Sequence, residues 1–206
     1  MSHPGAAGAL AGPLAAARGL VLGVGNRLGG DDAVGPLVCD RLRARLGLGP
    51  TDAPDDPDAL GVPDGRAGER AGLRVEALAG APIELSARWG PDDAVVLVDA
   101  ARSGAAPGHV HRFDALAGPL PADVLAVSTH ALGVAAGIEL GRALGRLPRR
   151  LVVLAVEGAR FEPGAAPTPA VLAVVDRVAD LALRELLDAG GAGAPDAQEA
   201  GCTSTG

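Results

Sequence analysis

The chain has 206 residues, enough for one domain with a sizeable core, and 48% hydrophobic against 21% charged residues marks it as globular. Its net charge of −7 argues against nucleic acid as a partner, since phosphate binding needs clustered cations. Two cysteines, Cys39 and Cys202, make neither a disulfide framework nor a cysteine zinc site, and no apolar run reaches membrane-spanning length.

Residues 1–18 read as a flexible tail. They lack the basic start of a signal peptide and are broken by Pro4 and Pro13, so the expected location is the cytoplasm. Leu20–Val24 reads as a buried strand and Asp32–Leu46 as an amphipathic helix, with Gly23-Val24-Gly25-Asn26-Arg27-Leu28-Gly29-Gly30 turning between them. Gly47 to Pro50 stops that helix. Residues 50–72, rich in proline, acids and glycine, read as a loop insertion within the domain. Leu73–Leu78 is a second strand and Pro82–Trp89 a short helix with proline in its first turn.

Ala94–Val98 is an unbroken apolar run ending at Asp99, which suits a central strand buried on both faces. His109–Phe113 reads as an edge strand, with His109 and His111 on one face, where a solvated edge accounts for them better than a metal pair. Val124–Val127 leads into Ser128-Thr129-His130, and a helix is expected over Ala131–Leu144, capped by Ser128 or Thr129. Gly133, Gly137, Gly141 and Gly145 recur every fourth residue along it; composition bias or close packing on the sheet would account for them. Leu151–Val156 is the last long strand and Pro169–Leu187 the last helix, followed by a disordered tail over 189–206. Only Trp89, Phe113 and Phe161 are aromatic, so the core must be Leu, Val and Ala. Alternating strands and helices imply a three-layer α/β/α domain over 19–188 with a largely parallel twisted sheet.

Three polar residues stand at strand ends or helix starts: Asp32, Asp99 and His130. Parallel strands bring their carboxyl ends to one edge, where residues about 100 apart in sequence can meet. Two carboxylates and an imidazole would make an open site for a divalent ion such as zinc or nickel. Each also has a bland role, a helix-start acid for Asp32, a turn residue for Asp99 and a helix-start polar residue for His130. A dinucleotide turn fits poorly, because the third glycine expected after Gly23 and Gly25 is Leu28, and Asp31 and Asp32 sit where a pyrophosphate would lie. Neither G-x-S-x-G nor H-E-x-x-H occurs, and Cys39 lies inside a helix.

These segments resemble the nickel–iron hydrogenase maturation endopeptidases. The resemblance rests on Gly23-Val24-Gly25-Asn26, Leu28, Asp31-Asp32 and Gly35; on Val96-Leu97-Val98-Asp99-Ala100; and on Ser128-Thr129-His130-Ala131-Leu132-Gly133. Glu157-Gly158 and Phe161-Glu162-Pro163-Gly164 resemble the family's late loop, whereas Ala77-Leu78-Ala79-Gly80 replaces its usual Asp-Gly-Gly-Thr. The resemblance implies that Asp32, Asp99 and His130 form the catalytic, metal-contacting triad, with Asp31 as its acidic neighbour. It implies removal of the C-terminal extension of a nickel–iron hydrogenase large-subunit precursor after nickel insertion. The nickel is carried by the substrate, and the enzyme is expected to be a monomer with no tightly bound cofactor of its own. The alternatives are a nucleotide-binding or regulatory α/β module, an interaction protein that has lost catalysis, and a hydrolase with its own zinc.

Overall fold

A computed structural model of the chain describes residues 18–49, 69–70, 72–79, 82–121 and 133–191. Six strands form one sheet: β1 (Gly19–Val24), β2 (Glu69–Arg70), β3 (Leu73–Leu78), β4 (Ala94–Ala101), β5 (Val110–Asp114) and β6 (Arg150–Glu157), in the order β2-β3-β1-β4-β6-β5. The four inner strands are parallel, and β2 and β5 pair antiparallel at the two edges. From β1 the chain passes to β3 on one side and then to β4 on the other. The carboxyl ends of β1 and β4 therefore flank the topological switch point, where open α/β sheets leave a crevice for ligands.

Both faces of the sheet are covered. The 3-10 turn Gly30–Ala33 leads into α1 (Val34–Leu46), which packs with α3 (Pro169–Leu172) and α4 (Val175–Gly191) over Val21, Val75, Val96, Val98 and Leu154. On the other face α2 (Val134–Ala143) and the 3-10 segment Pro82–Ala87 cover Leu20, Leu22, Val95, Leu97 and Val153. The expected three-layer α/β architecture is present. β1, β4 and β6 read as continuous apolar runs because alternate residues feed different cores, and each buried Val or Leu contributes roughly 1.5–3 kcal/mol.

Several boundaries differ from the sequence reading. β4 runs three residues past Val98, because Asp99, Ala100 and Ala101 pair with Ala155, Val156 and Glu157. Asp99 thus lies inside a strand rather than after it. Glu69–Arg70, within the segment read as an insertion, adds a short edge strand by pairing with β3. The first helix opens as a 3-10 turn containing Asp32, and its α part begins at Val34. The short helix expected over Pro82–Trp89 is a 3-10 segment that ends at Ala87. The expected last helix is two helices, and α4 continues to Gly191 into the segment read as tail. The carbonyl of Arg18 accepts from the Ala94 N–H, so the tail reading fails at its last residue. Helix α2 begins at Val134 with Gly133 as N-cap, and Ser128 and Thr129, the expected caps, lie outside the described residues. Its Gly141 faces Leu147 and Ser86 rather than the sheet, and Gly145, at φ 64°, follows the helix end in the left-handed region.

Candidate functional site

The site begins with the close approach of α1 to β1. A side chain at Gly23 would strike the Gly35 carbonyl, and one at Gly35 would strike Val24, so the pair lets the helix lie against the strand end. Gly25 adopts φ 140°, which an L side chain rarely takes, and a Cβ there would overlap the Asp32 carbonyl oxygen. This tight return folds Asp32 back over the end of β1. One of its carboxylate oxygens accepts the Asn26 N–H at 2.9 Å.

The turn spends its own amides. Gly25 N–H donates to Leu78 O, Leu28 N–H to Asn26 Oδ1, Gly29 N–H to Asn26 O, Asp31 N–H to Arg160 O and Asp32 N–H to Gly29 O. A dinucleotide turn needs such donors directed at a pyrophosphate. Here they are engaged, and two carboxylates stand beside them.

Asp99 sits on β4 with its side chain on the face shared by Val95, Leu97 and Ala101, the α2 side. It is 2% exposed and Asp32 is 6% exposed. One Asp99 oxygen accepts the Ala100 N–H at 2.9 Å, while Oδ2 is buried with no hydrogen-bond partner among the described residues. Burial, with the nearby charge of Asp32 adding to it, pushes the Asp99 carboxyl up to about 8 against the opposing Ala100 hydrogen bond. The structure therefore brings Asp32 and Asp99 together at the switch point. His130, Ser128 and Thr129 lie outside the described residues, and no group of three His, Cys, Asp or Glu among the described residues is arranged to hold a metal.

Asp31, whose role the sequence left open, is 0% exposed, and its carboxylate is taken up by residues 159, 160 and 168. Its carboxylate accepts Ala159 N–H at 2.8 Å, Arg160 N–H at 3.0 Å, Thr168 N–H at 2.6 Å and Thr168 Oγ1–H at 3.1 Å. Burial alone would raise its pKa, but these four bonds outweigh burial and hold it below the ordinary carboxylate value.

Another buried carboxylate, Glu157 at the end of β6, organises the neighbouring loop. It accepts Ser103 Oγ–H at 2.9 Å and Gly104 N–H at 2.8 Å, and lies 3.2 Å from His111 Nε2. His111 in turn meets His109 edge to face at 4.6 Å. The guanidinium of Arg102 stacks over Phe161 at 4.6 Å and so joins this loop to the one after β6. The sequence flagged Glu157 only as part of a late loop, because nothing local reveals partners some fifty residues upstream. Cys39 is buried, donates to Glu76 O, and burial pushes its thiol up to about 12. It is a packing residue, as its place in the helix implied.

The family model described as hydrogenase maturation protease matches residues 83–185, half of the chain. That stretch includes Asp99 and His130 and excludes the turn bearing Asp32. Among solved structures, the hydrogenase maturating endopeptidase HybD from E. coli is similar at 26% identity and a TM-score of 0.58, over 84% of this chain and 94% of that one. An endopeptidase from E. coli, solved in solution, is similar at 26% identity and a TM-score of 0.59 over the same shares. The [NiFe] hydrogenase maturation protease HycI from Thermococcus kodakarensis shares the fold, with a TM-score of 0.54 at 24% identity over 82% of this chain and 92% of that one. No curated protein matches the sequence.

Proposed function

The chain belongs to the hydrogenase maturation protease family, and from that premise we propose that it is a metal-guided endopeptidase whose site is built on Asp32, Asp99 and His130. Its substrate is the precursor of a nickel–iron hydrogenase large subunit, cut to release a C-terminal extension once nickel is in place.

One observation carries this reading. Asp99 Oδ2 is buried, without a hydrogen-bond partner among the described residues, beside a second carboxylate. An unsatisfied buried polar atom costs about 1–3 kcal/mol, and two neighbouring carboxyls resist joint ionisation, so a fold that keeps both is storing an affinity for positive charge. A divalent ion arriving with the substrate would satisfy Asp99 Oδ2 and relieve the repulsion. Hard carboxylate oxygens with one imidazole suit nickel or zinc. Because the ion arrives on the precursor, its contact with Asp32 and Asp99 reports that the precursor is loaded. The same contact holds the tail where the ion polarises the scissile carbonyl or activates water.

The chemistry needs no covalent enzyme intermediate, in keeping with the inert Cys39 thiol. Among the described residues no helix is long and apolar enough to cross a membrane. The nucleotide-binding alternative loses ground because the turn's amides are engaged internally.

The test is processing of a nickel-loaded precursor by Asp32→Asn, Asp99→Asn and His130→Ala variants, each checked for folding by circular dichroism. The proposal expects each folded variant to lose at least about 10²-fold in rate, the scale for removing an electrostatic contact to the reacting centre. Near-normal processing by Asp99→Asn would refute it.

A further inference from the structure

We propose that Asp31 is a positioning residue for this site: its carboxylate clamps the turn bearing Asp32 to the loop that follows β6, and so fixes where the Asp32 carboxylate stands. The inference rests on the reading of Asp32 as a residue that contacts the substrate-borne ion.

A first-turn acid usually serves the helix it precedes. Asp31 does not: the 3-10 turn it belongs to has no side-chain cap, and all four of its acceptor contacts go to residues 159, 160 and 168. The link is reciprocal, because Asp31 N–H donates to Arg160 O at 2.7 Å. Two further ties flank it: Gly164 N–H donates to Leu28 O at 2.6 Å, and Gly29 bridges Ala165. Space is tight as well, since a Cβ at Gly158 would come within 2.8 Å of Asp31 Cβ.

Beyond these ties and the Arg27–Asp40 ion pair to α1, the turn has little apolar packing to hold it. Leu28, its one large apolar residue, is 68% exposed, and Gly25, Gly29 and Gly30 leave its backbone soft. The adjacent residue, Asp32, keeps its carboxylate in place through the Asn26 N–H. Asp31 therefore sets the far anchor of a turn whose near anchor is the Asn26–Asp32 hydrogen bond. The two neighbours divide the labour, one holding the turn and the other facing the ion. Displacement of a reacting group by about 1 Å can cost roughly 10²-fold in rate, which gives this anchor a functional consequence.

Asp31→Asn keeps the volume but removes the charge and turns an amide N–H₂ toward a ring of donors. The experiment measures residue-resolved amide hydrogen exchange of the wild type and Asp31→Asn, and steady-state processing of the nickel-loaded precursor by both. Exchange should rise about tenfold or more at Asn26 as well as at Ala159, Arg160 and Thr168, and kcat should fall by about 10²-fold with KM changed far less. Faster exchange at Ala159, Arg160 and Thr168 with Asn26 unchanged would reduce Asp31 to a loop staple and overturn the inference. So would wild-type kcat in Asp31→Asn when Asp32→Asn is inactive. An Asp32→Asn enzyme of normal activity would instead sink the proposed site, while the exchange at Asn26 would still decide whether Asp31 fixes Asp32. Should Asp31→Asn fail to fold, Thr168→Val, which deletes only the hydroxyl contact, takes its place. Asn26 exchange should then rise by a smaller factor, and unchanged Asn26 protection would overturn the inference.

Discussion

Asp99 is buried within reach of the Asp32 charge, and the two together push its carboxyl above the ordinary carboxylate range. Burial is the larger cause and the Asp32 charge adds to it, lifting Asp99 from 3.8 to about 8. The folded-state pKa is raised, so between these two values the native state binds more protons than the unfolded chain. Asp99 therefore costs stability progressively as pH rises from about 4 to about 8.

Replacing Asp99 by the neutral, isosteric asparagine removes that cost. Asp99→Asn is expected to raise the melting temperature at pH 7–8, by a stability gain on the order of 1–4 kcal/mol, and to match the wild type below about pH 4. The same variant should be inactive, the pattern of a site kept at the expense of stability. Thermal melts of both proteins across that pH range check it, and a variant less stable than wild type at pH 8 would contradict the account of this carboxyl.

Asp31 titrates in the opposite sense. Burial raises its pKa, but the bonds from Thr168, Ala159 and Arg160 hold it below its ordinary 3.8. Its contribution is complete above that value and is lost as pH falls through the lower folded value. Asp31→Ala leaves three backbone donors without their acceptor and should cost roughly 2–5 kcal/mol at pH 7, with the gap to wild type shrinking in strong acid. Urea unfolding at pH 7 and pH 2.5 measures the difference, and an equal gap at both would exclude the charged carboxylate as the source.

Cys39 should not react in the native state. Its thiol is buried and pushed up to about 12, so thiolate is scarce at neutral pH. Alkylation by iodoacetamide under native conditions, followed by peptide mass analysis, should leave the Cys39 peptide unmodified until urea unfolds the chain. Rapid native labelling at Cys39 would reopen a cysteine-based mechanism.

Much of the fold was legible because its central strands are apolar on both faces. Ala94–Val98 could hardly be anything but an inner strand, and Leu73–Leu78 was read with its observed limits. The edge strand Glu69–Arg70 was not legible, since two polar residues take strand form only through pairing with β3. Nor was the break between α3 and α4. Val171 and Val175 are both buried, so the apolar spacing continues unbroken across a gap of two residues. At the candidate site, Asp32 and Asp99 stood out in the sequence as polar residues following apolar runs, although Asp99 lies within β4 rather than after it. Asp31 was not, because its partners lie 128 to 137 residues away and nothing in its own neighbourhood marks it as an anchor.

The central claim is that the ion which completes the site arrives on the substrate. The most direct measurement compares processing of nickel-loaded and apo forms of the large-subunit precursor by the purified protein, with the metal content of the enzyme determined on the same sample. The account predicts cleavage of the loaded form alone, by an enzyme holding far less than one metal ion per chain. Equal cleavage of both forms, or activity that depends on a stoichiometric zinc in the free enzyme, would contradict it.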